Sequence, residues 1–307
     1  MNGLNVMASG YLKHGRLRYS RPMSQPPVIL SIAGYDPISG AGITADIKTA
    51  AAQNCYAVTC ITALTVQSSQ GVFGVQPANS ELVARTLTAL ADDLEIAAVK
   101  VGMLGSGGVA AAVADFLEER LLPNIVLDPV IRSSSGTVLL DERGQEVLVK
   151  RLLPLCDVIT PNVDEAATLA GAEPVAIDAP WEDLLPRLRG MAVKLRELGS
   201  RTDPGLEPRE TWGTGAVVIT GGHLLQANDY LLYGTTGSVK EEVFPGVHLE
   251  SRSTHGTGCA FATALACQLA HGASLPGAVR AAKEYVRKAI AAAYPLGKGS
   301  GPINHGA

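Results

Sequence analysis

No pair among the five cysteines, Cys55, Cys60, Cys156, Cys259 and Cys267, has CxxC spacing, and their odd number does not fit a secreted disulfide framework. A reducing cytoplasm is the expected setting. Long apolar runs are missing too: nothing approaches the about 18 uninterrupted apolar residues that a membrane-crossing helix needs. Positive charge is not in excess, since the net charge is −4 and the pI is near 5.9. That balance argues against a general nucleic-acid partner, which would require a basic face to neutralise phosphates. It leaves a small anionic substrate open, because a helix N-terminus does not enter the charge count. Internal repeats are absent, as are low-complexity tracts beyond a bias toward alanine.

What remains is a chain of 307 residues that is 47% hydrophobic, 18% charged and 5% aromatic, enough for an extensive core in one large α/β domain. Its 33 glycines suit tight turns and close packing of helices on a sheet. Met1 to Pro27 carries Lys13, Arg16, Arg18 and Arg21 without the apolar centre of a secretory signal. The expectation is a disordered leader over 1–26, with a transit peptide as the other reading and Met7 or Met23 as further possible starts, followed by a single domain over 27–307.

From Pro27 onward short apolar runs alternate with segments of helical period, as in a parallel sheet wrapped by helices. Strands are expected at Val28 to Ala33, Tyr56 to Leu64, Ala97 to Val101, Ile125 to Leu127, Val158 to Thr160 and Ala216 to Thr220. Helices are expected over Ile43 to Gln53, Ser80 to Leu94, Gly108 to Glu119, Val163 to Gly171 and Leu184 to Leu198. Tyr230 to Tyr233 and Val239 to Val247 read as a hairpin near the surface, Gly199 to Gly213 as an exposed loop, and Gly297 to Ala307 as a tail of uncertain order. Each expected strand is followed by polar or glycine-rich residues, and open α/β sheets bind ligands at the carboxyl ends of their strands. The candidate chemistry therefore gathers on one edge.

The stretch Ser253-Thr254-His255-Gly256-Thr257-Gly258-Cys259-Ala260-Phe261 runs from a small-residue turn into an alanine-rich helical pattern. Gly256 and Gly258 let the backbone approach a ligand closely, and the amides at a helix start have no partner inside the helix. Gly256, Thr257, Gly258 and Cys259 thus offer a site for phosphate oxygens or a phosphoryl group in transfer. Cys259 at that end reads as a base or nucleophile whose thiol is acidified by the helix. The plainer alternative is a capped helix with a buried cysteine.

The turn Gly34-Tyr35-Asp36-Pro37-Ile38-Ser39-Gly40-Ala41-Gly42 lacks the Gly-Lys-Ser/Thr ending of a Walker A loop and is not a clean GxGxxG. Asp36 either accepts hydrogen bonds from a substrate or caps the following turn. Asp128 and Glu165 follow two expected strands, and hard oxygen ligands there suit a hydrated magnesium ion on nucleotide phosphates; alone, each reads as a surface or capping residue. Gln67 can donate and accept through one amide, as recognition of a polar heterocycle requires, or it is an ordinary strand end. Together these groups make phosphoryl transfer coherent.

Seven blocks now stand in one order: Ile32-Ala33-Gly34-x-Asp36-Pro37 with Gly40-Ala41-Gly42-Ile43-x-Ala45-Asp46; Ile61-Thr62-Ala63-Leu64-x-x-Gln67; Lys100-Val101-Gly102-Met103-Leu104; Val126-Leu127-Asp128-Pro129-Val130; Ile159-Thr160-Pro161-Asn162-x-x-Glu165-Ala166; Gly221-Gly222-His223; and Thr254 to Cys259. The chain resembles hydroxymethylpyrimidine phosphate kinase, the thiamin-biosynthesis branch of the ribokinase-like fold, over about Val28 to His305. The resemblance implies a three-layer α/β/α sandwich with a mostly parallel central sheet. It implies ATP-dependent phosphorylation of 4-amino-5-hydroxymethyl-2-methylpyrimidine and of its monophosphate, with ATP and Mg2+ as cofactors. Cys259 would be the general base, with the Gly256 to Cys259 amides as anion hole. Asp128 and Glu165 would hold Mg2+, directly or through water. Asn162, Thr220 and Gly222 would sit against the ATP phosphates, and Gly34, Asp36, Gln67, Met103 and Val130 would line the pyrimidine pocket. Homodimers are common in this branch.

Several positions depart from the family pattern. Ile38-Ser39 replaces the usual Ser-Gly, so a bulky side chain is expected to border the pocket; Thr220 stands where many relatives have lysine; and Arg132 to Gly136 varies from a lysine-containing version. Two other readings remain at this stage: a pyridoxal kinase of the same fold, and a pyrimidine-binding protein without turnover.

Overall fold

Val28–Tyr35 is apolar along most of its length and buried at every residue but the last, as a strand covered on both faces must be. It sits inside a nine-stranded sheet. The computed structural model describes residues 25–200, 215–235 and 237–307, together with two short strands at Leu12–Lys13 (β1) and Arg16–Leu17 (β2), which pair antiparallel with each other. The remainder of the expected leader, residues 201–213 of the expected loop and residue 214 lie outside the described residues.

The elements in chain order are β3 (Val28–Tyr35), α1 (Gly42–Ala52), β4 (Tyr56–Ser68), β5 (Gly71–Pro77), α2 (Ser80–Asp93), β6 (Ile96–Val101), α3 (Gly107–Glu119), β7 (Ile125–Leu127), α4 (Glu142–Val147), β8 (Val158–Ile159), α5 (Val163–Ala170), α6 (Trp181–Gly199), β9 (Ala216–Ile219), β10 (Asp229–Thr235), β11 (Ser238–Phe244), α7 (Thr257–Ala270) and α8 (Leu275–Ala291). The sheet order is β11-β10-β9-β8-β7-β6-β3-β4-β5. Strands from β9 through β4 are parallel to their neighbours, and β5, β10 and β11 add antiparallel edges.

Alternation along each strand divides the core into two layers. Leu30, Ile32, Val99, Val101, Leu127, Ile159 and Val217 face one apolar cluster with α2 to α6. Ile29, Ala98, Val126, Val158, Ala216 and Val218 face the other, built mainly from α7 and α8. Side chains of period two on parallel strands, covered by helices on both faces, give the expected α/β/α sandwich. Among the described residues no helix is long and apolar enough to cross a membrane.

Three parts depart from the sequence reading. Tyr230, Leu231 and Leu232 are buried, because β10 pairs with both β9 and β11 and so lies within the sheet rather than at the surface. α8 has no counterpart among the expected helices, although Leu275, Ala278, Val279, Ala282, Tyr285 and Ala289 bury one face at helical spacing. The terminal residues are not a loose tail: Gly301, Pro302, Ile303 and His305 are buried, His255 N–H donates to the Gly301 carbonyl at 3.0 Å, and the Tyr285 hydroxyl donates to the His305 carbonyl at 2.9 Å.

Candidate active site

Parallel strands deliver their carboxyl ends to one edge, and the polar residues that follow them meet there. Gly34, Asp36, Gln67, Met103, Val130 and Cys259 line a single cleft, joined by Tyr35, Ala41, Gly42 and Thr65. Every residue expected at the pyrimidine pocket is present. Gly34 lies against Met103: a Cβ there would stand 2.8 Å from its sulfur and would make that side chain shift. Ile38 is not among the residues lining the cleft; its amide instead donates to Asp36 Oδ1 at 3.0 Å, which directs that loop back onto itself.

Asp36 resolves its two readings toward loop architecture. Its Oδ2 accepts from the amides of Gly40 at 3.0 Å and Ala41 at 2.9 Å, and lies 2.8 Å from His255 Nε2. Burial pushes this carboxyl up, but His255 and the amides of Ala41 and Ile38 outweigh it and hold the group below the ordinary carboxylate range. His255 Nε2 also stands 3.2 Å from Gln67 Nε2. Carrying a proton it donates to Asp36; lacking one it accepts from Gln67. The side chain of Gln67 is further held by the Thr65 hydroxyl, 3.1 Å from Oε1. His255 is a site residue for which sequence reading provided no role, since a lone histidine in a glycine-rich turn carries no spacing signal.

Gly256 begins α7 in the left-handed region at φ 87°. A Cβ there would come 1.7 Å from the Gly40 carbonyl oxygen, so this position packs directly against the loop after β3. No side chain caps α7; the Thr257 N–H donates to the Thr254 carbonyl at 3.4 Å, and Cys259 in the first turn lines the cleft. Cys259 is half-buried, and its thiol is not acidified: burial pushes it up to about 12, against the opposing pull of Lys100. The expectation from the helix N-terminus fails here because a helix end supplies only about half a unit charge, less than desolvation removes. The nearby charges of Asp128 and Asp46 add to that rise.

Beneath the cysteine lies a buried charge network. Lys100 is fully buried, with Nζ 3.2 Å from Asp46 Oδ2 and 3.8 Å from Asp128 Oδ2. Asp46 also accepts from the hydroxyls of Ser31 at 2.5 Å and of Thr263, on α7, at 2.7 Å. A charged side chain inside the apolar run Ile96–Val101 was the available signal for this network. Gly102 leaves room for the ammonium, which a Cβ would approach to 2.7 Å.

Glu165 reaches the same region from α5, where it forms a capping box with Asn162: Glu165 N–H donates to Asn162 Oδ1 at 2.9 Å and Asn162 N–H to Glu165 Oε2 at 3.0 Å. Asn162 therefore commits its side-chain oxygen to the helix. Burial, and then the charge of Asp128, push Glu165 up to about 8. Burial also raises Asp128, whose Oδ2 is buried without a hydrogen-bond partner. Among the described residues no cluster of three or more His, Cys, Asp or Glu side chains is arranged to hold a metal. Two buried carboxylates, the charge of one bearing on the other and one oxygen of Asp128 unsatisfied, fit a hydrated cation whose other ligands are phosphate and water. Thr220 bridges to Asn162 across the strand ends, and Gly222 faces open space, so the residues expected at ATP lie beside the cleft rather than in its lining. Lys100, Asp46 and Cys259 join the two halves.

With this geometry in hand, the family model of phosphomethylpyrimidine kinase matches residues 36–304. A hydroxymethylpyrimidine/phosphomethylpyrimidine kinase of Streptomyces coelicolor is 41% identical over 285 residues, which are 93% of this chain and 96% of that one. The ADP complex of Bacillus subtilis pyridoxal kinase superposes with a TM-score of 0.75 at 31% identity, covering 92% of this chain and 98% of that one. The phosphomethylpyrimidine kinase of Clostridium difficile gives a TM-score of 0.67 at 30% identity, covering 86% and 99%.

Proposed function

The chain belongs to the phosphomethylpyrimidine kinase family, and on that premise we propose that it transfers the terminal phosphoryl group of ATP to 4-amino-5-hydroxymethyl-2-methylpyrimidine and then to its monophosphate, giving the diphosphate used to build thiamin. One observation carries the reading: Gln67 and Met103, suited to a small polar heterocycle, share a cleft with Cys259 and the uncapped start of α7.

In this reading the heterocycle lies in the cleft against Gly34, Met103 and Val130, with Gln67 on its polar edge, so that its hydroxymethyl oxygen points toward Cys259. Because the thiol is held protonated, its base role takes the form of a relay. As the acceptor oxygen attacks phosphorus, its proton passes to the Cys259 sulfur while the thiol proton moves to Asp128, the neighbouring carboxylate whose charge bears on the thiol. Lys100 lies close enough to both groups to stabilise the charge that moves between them. Within the Gly256 to Cys259 anion hole, the Gly258 and Cys259 amides are the donors left for the oxygens of the transferring group, the Thr257 N–H being turned to the Thr254 carbonyl. Asn162, Thr220 and Gly222 flank the nucleotide phosphates. Asp128 and Glu165 would hold Mg2+, which, when bound, neutralises phosphate charge.

Five free cysteines fit a cytoplasmic enzyme. Tyr56, Leu64, Val66 and Phe73 stand exposed on β4 and β5 and fit an apolar contact between two copies in a homodimer. Sedimentation or light scattering tests that state.

The bacterial pyridoxal kinase above shares the fold at 31% identity, so pyridoxal is the rival acceptor to be tested. Purified protein is incubated with ATP and magnesium and, separately, the hydroxymethylpyrimidine, its monophosphate or pyridoxal, with products followed by mass spectrometry. Conversion of the monophosphate to the diphosphate supports the reading. Phosphorylation of pyridoxal alone, or ATP-independent binding without product, overturns it.

A further inference from the structure

Opposite the end of α7 that carries Cys259 lies a second sulfur site, which phosphoryl transfer does not use. The last turn of α7 docks on the turn between α1 and β4 through several side chains. Gln268 Nε2 donates to Gln53 Oε1 at 2.8 Å, and His271 Nε2 lies 2.9 Å from the Gln53 carbonyl oxygen, which fixes a proton on that nitrogen. The same Nε2 stands 3.4 Å from the sulfur of Cys55, and Cys267, one helical turn before His271 and joined to it by the His271 N–H to Cys267 carbonyl bond, lies beside that sulfur. Cys55 is thus a buried sulfur held against His271, with a second thiol beside it.

We propose that Cys55 and Cys267 form an oxidisable dithiol, a modification site that takes hydrogen peroxide and closes a disulfide between the α1–β4 turn and α7. The remaining cysteines lack this arrangement: Cys60 donates to the Val83 carbonyl, and Cys156 to the Leu152 carbonyl. Burial pushes Cys60 up to about 11, whereas Cys267, opposed by burial and helped by His271, holds Cys55 at about 7, so thiolate is available near neutral pH. His271 is exposed and covers the sulfur, leaving a small neutral oxidant the shortest route in.

The chemistry balances in two steps. The Cys55 thiolate attacks one oxygen of hydrogen peroxide; the O–O bond breaks, hydroxide leaves and takes up the proton lost from Cys55, and sulfur is oxidised to the sulfenic acid while peroxide is reduced to water. The Cys267 sulfur then attacks the sulfenic sulfur. An S–S bond forms, the S–O bond breaks, and the departing hydroxide leaves as water with the Cys267 proton.

The test treats the full chain with graded hydrogen peroxide, blocks residual thiols with N-ethylmaleimide in denaturant, and maps peptides by mass spectrometry with and without reductant. The expected result is a Cys55–Cys267 crosslinked peptide that appears at lower peroxide than any oxidation of Cys60, Cys156 or Cys259 and disappears on reduction. In Cys267→Ser, Cys55 is expected to stop at the sulfenic acid and to be captured by dimedone; in Cys55→Ser, Cys267 is expected to stay unoxidised. Circular dichroism of each reduced variant establishes that it is folded, and the wild-type map stands without them. Oxidation of Cys259 or Cys60 while Cys55 and Cys267 remain alkylated as free thiols would overturn the proposal, as would disulfides joining either residue to another cysteine.

Discussion

Asp36 Oδ2 and His255 Nε2 stand 2.8 Å apart although 219 residues separate them in the chain. This pair joins the loop after β3, which forms one wall of the cleft, to the turn that presents the first amides of α7. It rests on a carboxylate with almost no exposure to water.

Replacing Asp36 by Ala strands the amides of Ile38, Gly40 and Ala41 that now donate to it. The expected cost is about 1–3 kcal/mol in stability, measured by urea denaturation, with a rise of about tenfold or more in KM for the pyrimidine. Because the folded carboxyl lies below its ordinary range, the native contribution is complete above that range and fades as pH falls through the lowered value. An unchanged KM would show that the loop holds its shape without the aspartate.

Cys259→Ala removes the relay while leaving the strand ends intact. A fall in kcat of about 10²–10⁴-fold is expected, with ATP affinity by calorimetry unaltered. Near-normal turnover would remove Cys259 from the chemistry.

Two glycines of the same turn separate strain from chemistry. Gly256→Ala forces a side chain into left-handed backbone and onto the Gly40 carbonyl, and the expected loss is about 3 kcal/mol or more. Gly258→Ala meets nothing within 4 Å, so its stability should change by less than about 1 kcal/mol. Kinetics of the second variant then report ligand approach alone.

His305 makes the carboxyl-terminal segment sensitive to acid. Burial is the main cause that lowers it from 6.5 to about 4, and its Nε2 is buried without a partner. The unfolded chain therefore binds a proton that the folded one refuses between those values, so stability falls as pH drops from 6.5 toward 4. His305→Phe should flatten that slope, recovering about 1–3 kcal/mol at the acid end in thermal or urea melts. An identical slope in the variant would assign the acid sensitivity elsewhere.

Much of the fold was legible because buried parallel strands are short apolar runs and their carboxyl ends carry polar residues. Those two facts placed β3, β6, β7, β8 and β9 and collected Gly34, Asp36, Gln67, Met103, Val130 and Cys259 on one edge. α8 was missed although its buried face repeats at helical spacing from Leu275 to Ala289, and β5 escaped because its residues are only partly buried on an edge. The residues 297–307 read as a tail from glycine content, yet burial of Pro302, Ile303 and His305 against α8 and the His255 turn makes them part of the structure.

The sequence by itself determined the α/β class, the strand ends and the residue types that phosphoryl transfer requires, since these depend on local periodicity and on side-chain chemistry. Only the tertiary structure decided what each group's charge does. Asp36 is bound up in its own loop and in His255, Lys100 lies buried between two aspartates, and Cys259 keeps its proton despite a helix N-terminus. Ionisation depends on desolvation and on neighbours brought from distant parts of the chain, and neither can be read from local spacing.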